Sequence, residues 1–167
     1  MLTLLKIYGA MLALRKGADA IPHSPLVFLL SVAMLVVSSL CAAALIDGMR
    51  SQNYLLTFSG YSLGLVFYGV VLYISGYAGR ALQTISAIVA CGAIITLLYV
   101  AEYVLFKSLF GVEFASIVGI LIILWSVPVE GHIIAHAIQR HRFIGVGIAM
   151  VALILQLWFQ SAFAARS

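Results

Sequence analysis

Residues 114–137 read FASIVGILIILWSVPVEGHIIAHA, and Glu130 is the one formally charged side chain in the stretch. A helix rises about 1.5 Å per residue, so a run of this length crosses roughly 30 Å of hydrocarbon with little to spare. Four further stretches of the same character flank it, at about 25–46, 54–77, 81–106 and 143–164, with only short polar breaks between them. Backbone amides in lipid must be satisfied within the segment, which selects helices over open sheets. The expected fold is therefore an all-α integral membrane protein, a five-span helical bundle occupying 1–167 as a single membrane domain.

Composition points the same way. Of the 167 residues, 65% are hydrophobic and 8% charged, a balance that leaves too little polar surface to clothe a water-soluble domain. The net charge of +4 comes from nine Lys and Arg against five acids, scattered over loops and ends. That scatter is an orientation signal and excludes a nucleic-acid surface. With the N-terminus cytoplasmic, Lys6, Arg15, Lys16, Arg80, Arg140 and Arg142 lie inside, and Arg50, Lys107 and Arg166 outside. The positive-inside rule thus favours an N-terminus in the cytoplasm and a C-terminus outside.

Residues 1–16, MLTLLKIYGAMLALRK, place Met1, Leu4, Leu5, Tyr8, Met11 and Leu12 at helical spacing among the charges of Lys6, Arg15 and Lys16. The pattern predicts an amphipathic helix at the membrane interface, followed by a linker to about residue 20. Its polar face is uneven, which predicts partial packing on protein. The same charges interrupt the apolar core that a cleavable signal would need. Ser24 and Pro25 suit the start of the first span. Gly60 and Gly64 form a small-xxx-small pair in the second, read as internal helix packing rather than a dimer face. Cys41 and Cys91 lie in apolar stretches without metal or disulfide spacing and read as small packing residues.

Ionisable groups at membrane depth are costly unless paired or wet, so they are the first place to look for function. Asp47 and Glu113 fall at span ends, where water reaches them. Glu102, in LLYVAEYVLF, is a candidate proton or ion site near the outer end of the third span. The densest group is Glu130, His132 and His136 on the cytoplasmic half of the fourth span. His132 and His136 share a helix face, the spacing that offers two imidazoles to one metal. A third ligand is missing, however: Glu130 points elsewhere, and Glu102 lies near the opposite membrane face. His23 and His141 are in interfacial loops, which argues against paired-histidine haem ligation. No metal or other cofactor is expected. Pro128 frees the carbonyl of Leu124, and Gly131 loosens the next turn, so a kink or polar gap is expected there. The favoured reading is a structural network: Arg80 pairs with Glu130 at matched depth, and Gln83, His132 and His136 complete its hydrogen bonds.

Two segments carry a family likeness. Gly79-Arg80-Ala81-Leu82-Gln83-Thr84-Ile85-Ser86-Ala87, and Trp125 through Gly131-His132-Ile133-Ile134-Ala135-His136-Ala137-Ile138, resemble small proteobacterial inner-membrane proteins labelled Yip1-like. Ile21-Pro22-His23-Ser24-Pro25-Leu26 resembles the entry to their first span. The resemblance implies five spans, a cytoplasmic N-terminus, no catalytic residue and no cofactor. Such relatives are expected to carry Arg where this chain has Ala135, so no charge-based role is carried over to that position.

The loops are too short to build a pocket outside the membrane, and they hold no nucleophile–base order or phosphate loop. An enzyme is not expected. The expected function is a scaffold or accessory subunit that contacts other membrane proteins, or a second copy of itself, through small-residue helix faces and the tyrosine-rich second span. The alternative is a small transporter or channel component using Glu102 or the Glu130, His132 and His136 group.

Overall fold

The computed structural model describes residues 2–46 and 54–164. The polar turn expected at Asp47–Asn53, with Arg50, and the terminal Arg166 lie outside the described residues. Six α-helices follow in order: α1 (Leu2–Leu12), α2 (Pro25–Leu45), α3 (Tyr54–Ile74), α4 (Ala81–Phe110), α5 (Val112–Ala137) and α6 (Arg142–Ala164). Single 3-10 turns at Ala18–Ala20 and Ala78–Arg80 lead into α2 and α4.

Four helices, α2, α4, α5 and α6, are long and apolar enough to cross a membrane; in α3 the apolar described stretch is the shorter Phe58–Ile74. Their outer faces carry the aliphatic and aromatic residues that a soluble protein would hide. Leu26, Ile74 and Phe143 are 73%, 78% and 81% exposed. Such a surface is at equilibrium only against lipid.

α4 is the hub. It packs on α2 along one side and on α5 along another; α5 continues to α6, and α6 to α3, which returns to touch α4 more lightly. Helices α3, α4, α5 and α6 therefore close a ring, with α2 outside it against α4. The hidden faces are small: Ala87, Ala90, Cys91 and Ala93 of α4 and Ala135 of α5 are fully buried. In lipid, where water expulsion does not drive helices together, such residues let backbones approach and gain dispersion contact. Buried hydroxyls are tolerated because they bond back one turn, as Ser31 to Val27 O, Thr84 to Arg80 O and Ser86 to Leu82 O.

One boundary departs from the sequence reading, and two further features show what Pro128 and Gly131 do in the helix. The connection expected at Phe106–Gly111 is helical up to Phe110, and Gly111 alone turns the chain, at φ 87°. Phe106, Phe110 and Phe114 stack mutually around that tip, with centroids 5.1–5.8 Å apart, which explains why the last turn of α4 persists. At Pro128, α5 runs on as one helix. Gly131 serves the crossing of α5 and α6 rather than looseness: a Cβ there would stand 2.6 Å from Val146 Cα, and one on Gly145 would strike Gly131 O.

α1 packs on α4 and α5, with Tyr8 and Met11 buried and Leu5 and Lys6 exposed. The Trp125 indole donates to Leu12 O at 3.3 Å, tying the end of α1 to the middle of α5. α1 ends on Leu14 in the left-handed region (φ 58°), with Arg15 N bonded to Ala10 O. α5 ends in the same way on Gln139 (φ 54°), with Arg140 N bonded to Ala135 O.

Candidate functional site

The ring of α3, α4, α5 and α6 has a polar interior. Tyr68 on α3, 1% exposed, donates from its hydroxyl to Glu130 Oε2 on α5 at 2.6 Å. That length is typical of a hydroxyl bonding to a carboxylate oxygen. Tyr61, two turns earlier on the same face of α3, also points inward. Its buried hydroxyl has no hydrogen-bond partner and would lie 3.0 Å from a Cβ on Gly92 of α4. The α6 side of the interior is closed by amides: Gln160 fills the space beside Gly60, and Gln156 that beside Gly64. The small-xxx-small pair of α3 faces α6, and what it admits is glutamine.

Arg80 does not pair with Glu130. Its Nη1 donates to Ala137 O at 3.4 Å, and its guanidinium lies 5.4 Å from the Tyr77 ring centroid. The reason is depth. Arg80 precedes α4 at the level of the last residue of α5, where a cation suits the exposed carbonyls of a helix end. Glu130 lies seven residues, about 10 Å, further in. Gln83 is not part of a Glu130 network either; its Nε2 donates to Ile21 O at 2.8 Å and fastens the linker that precedes α2.

His132 and His136 do share a face, with ring centroids 4.3 Å apart, and His136 Nδ1 lies 3.1 Å from His132 O. His132 is 2% exposed and neither ring nitrogen has a hydrogen-bond partner. Gly17 packs directly on the second ring: a Cβ there would be 2.5 Å from His136 Cβ. The histidines therefore sit under the N-terminal linker, apart from Glu130. Among the described residues, no three His, Cys, Asp or Glu side chains gather as a metal site.

Glu102 is separate again. It is buried at the seam between α4 and α5, beside Gly119, on the far side of the molecule from His132. The sequence-based candidates thus divide into four places: Arg80 and Gln83 on backbone carbonyls, Glu130 in the ring, the histidines under the linker, and Glu102 at the outer seam.

The residues missed in sequence were Tyr61, Tyr68, Gln156 and Gln160. Their signal was spacing. Tyr61 and Tyr68 are seven apart, and Gln156 and Gln160 four apart, each pair on one face of an otherwise apolar helix. Set against family models, curated proteins and solved structures, the chain finds no match in any of the three.

Proposed function

We propose that this chain is a five-span, non-enzymatic membrane protein that handles a proton or a small polar solute inside the ring of α3, α4, α5 and α6, with Glu130 as its working group. The observation that carries this reading is the 2.6 Å hydrogen bond between Tyr68 and Glu130, which links two spans inside the bundle. A carboxyl held by one hydroxyl, with a second, partnerless hydroxyl two turns away on the same face of α3, leaves a hydrogen-bonded chain incomplete. A proton, a water or a small hydrogen-bonding solute supplies the other half. Gln156 and Gln160 extend the polar line along α6.

Within this reading α3 is the remaining span, α1 lies along α4 and α5 with its end at the middle of α5 and Lys6 exposed, and the chain sits in a bacterial inner membrane, N-terminus in the cytoplasm and C-terminus outside. The Yip1-like likeness is compatible with that architecture and supplies no chemistry. An accessory role toward other membrane proteins or a second copy has less to stand on. The small-residue and tyrosine faces it would use, Gly60, Gly64, Tyr61 and Tyr68, are turned inward, and the outward faces are large aliphatic side chains suited to lipid.

The test is flux. Purified protein in vesicles enclosing a pH-sensitive dye, under an imposed potential, is expected to pass protons faster than empty vesicles, and Glu130→Gln to return the rate to the empty-vesicle level. Equal rates for the wild type and Glu130→Gln would sink the proposal, and a stoichiometric membrane partner on purification would move the assignment to an accessory subunit.

A further inference from the structure

Because Gly111 alone joins α4 to α5, positions equally distant from the turn face each other. Glu102 is nine residues before it and Gly119 eight after, both about 12–14 Å along the helix axes from the tip. Glu102 is 9% exposed, and neither carboxyl oxygen has a hydrogen-bond partner. Its cover is specific. Tyr99, one turn earlier on α4, lies so close to α5 that a Cβ on Gly119 would be 2.5 Å from Tyr99 Cε2 and 3.6 Å from Glu102 Oε2. Glycine at 119 is what lets the Tyr99 ring lie against α5 beside the carboxyl.

Among the described residues, the groups around it offer no compensation. α5 contributes Gly119 and the buried Ala115, and α2 contributes Ala42 and Ile46, which pack with Val100, Tyr99 and Tyr103. The ionisable neighbours are on α4 itself: Tyr99, Tyr103 and Lys107, the last lying 5.6 Å from the Tyr103 ring centroid. Glu113, at the start of α5, is exposed near the tip. An anion in the seam has no donor among the described residues, and burial of an uncompensated charge is strongly unfavourable. A metal cation needs several oxygens around it, and this site shows two. A proton needs one.

The geometry points to Glu102 as a proton-binding site in the outer half of the bundle, filled while the α4–α5 seam is closed and emptied to water when Tyr99 moves off Gly119. This inference is independent of the role given to Glu130, which lies eleven residues, about 16 Å, further along α5 than Gly119.

An apolar carbodiimide is the probe, because a protonated carboxyl in an apolar site gives its proton to a carbodiimide nitrogen and adds through oxygen to the central carbon; the O-acylisourea then rearranges to a stable N-acylurea that peptide mass mapping locates. With the full chain in vesicles, Glu102 is expected to be labelled at neutral pH, with labelling that declines as pH rises and does not change when sodium replaces potassium. Gly119→Ala, which wedges Tyr99 away and wets the carboxyl, is expected to cut neutral-pH labelling about tenfold. Glu102→Gln, a neutral group for a neutral group, is expected to keep the parent melting temperature and abolish the adduct. No adduct at Glu102 in folded protein, an adduct independent of pH, or one blocked by sodium would each overturn the inference. Because the readout is an adduct and not flux, its failure is distinguishable from failure of the Glu130 proposal.

Discussion

Gly131→Ala tests whether the α5–α6 crossing is as close as the backbone requires. The added Cβ would stand 2.6 Å from Val146 Cα, 2.7 Å from Val146 N and 2.9 Å from Val146 Cγ2. Non-bonded carbon contacts relax at about 3.5–4.0 Å, so the helices must separate by about 1 Å. Two of the three obstructing atoms are backbone and cannot rotate aside. Overpacking of this kind costs about 1–3 kcal/mol, and the gain in helix propensity from Gly to Ala returns about 0.5–1 kcal/mol. The net expectation is a loss of about 1–2 kcal/mol. The control is Gly147→Ala, two residues further on from Gly145, where an added Cβ meets nothing within 4 Å; it should be neutral or stabilising by up to about 1 kcal/mol. Unfolding in mixed micelles, followed by the fluorescence of Trp125 and Trp158, measures both on the same scale. Equal midpoints for the two variants would refute the close crossing, because propensity alone makes them alike.

Tyr68→Phe removes the hydroxyl that Glu130 accepts from and should cost about 1–3 kcal/mol in the same unfolding assay, with Glu130→Gln restoring part of it in the double variant; additive effects would mean that the two side chains do not interact. Gln83→Ala frees Ile21 O and should cost about 1 kcal/mol while exposing the 15–23 linker to a protease that cuts after Arg15 or Lys16; an unchanged cleavage rate counts against the strap. Gln139→Gly relieves a left-handed residue (φ 54°) and should raise stability by about 0.5–1 kcal/mol despite losing an exposed bond from Tyr77; a fall in midpoint would show that this bond matters more than the backbone strain.

The helices were legible in the sequence because lipid demands them: long apolar runs fix where a chain must be helical. Their ends were less so. The close of the third span was placed at 106, yet α4 reaches Phe110, because the aromatic stacking that extends it joins residues on two helices. Glu102 and Glu130 stood out as acids in apolar surroundings; the first proved buried and the second part-buried, on Tyr68 of α3. Their surroundings were not legible. Pairing Arg80 with Glu130 assumed equal depth, and one helical turn of error per span was enough to replace a salt bridge with a tyrosine bond. The ring interior was hidden for a different reason: which helix faces which is decided by small-residue crossings such as Gly131 with Gly145, and one sequence shows many glycines but not their partners.

The partnership of α3 with α6 bears on how the protein is made. α3 ends at residue 74 and α6 begins at residue 142, so 67 residues must be synthesised between them. During that interval Tyr68 finds Glu130 once α5 is made, but Gly60 and Gly64 have no partner, because the glutamines that fill the notches have not yet left the ribosome. The second half of the nascent chain therefore completes the first. Any truncation that removes α6 leaves a helix with a polar, notched flank facing lipid, the kind of surface that membrane quality-control proteases and insertases engage. Shielding of α3 until α6 arrives sets the pace of assembly, and a ribosome stalled before residue 142 should yield a protein that is inserted and yet short-lived.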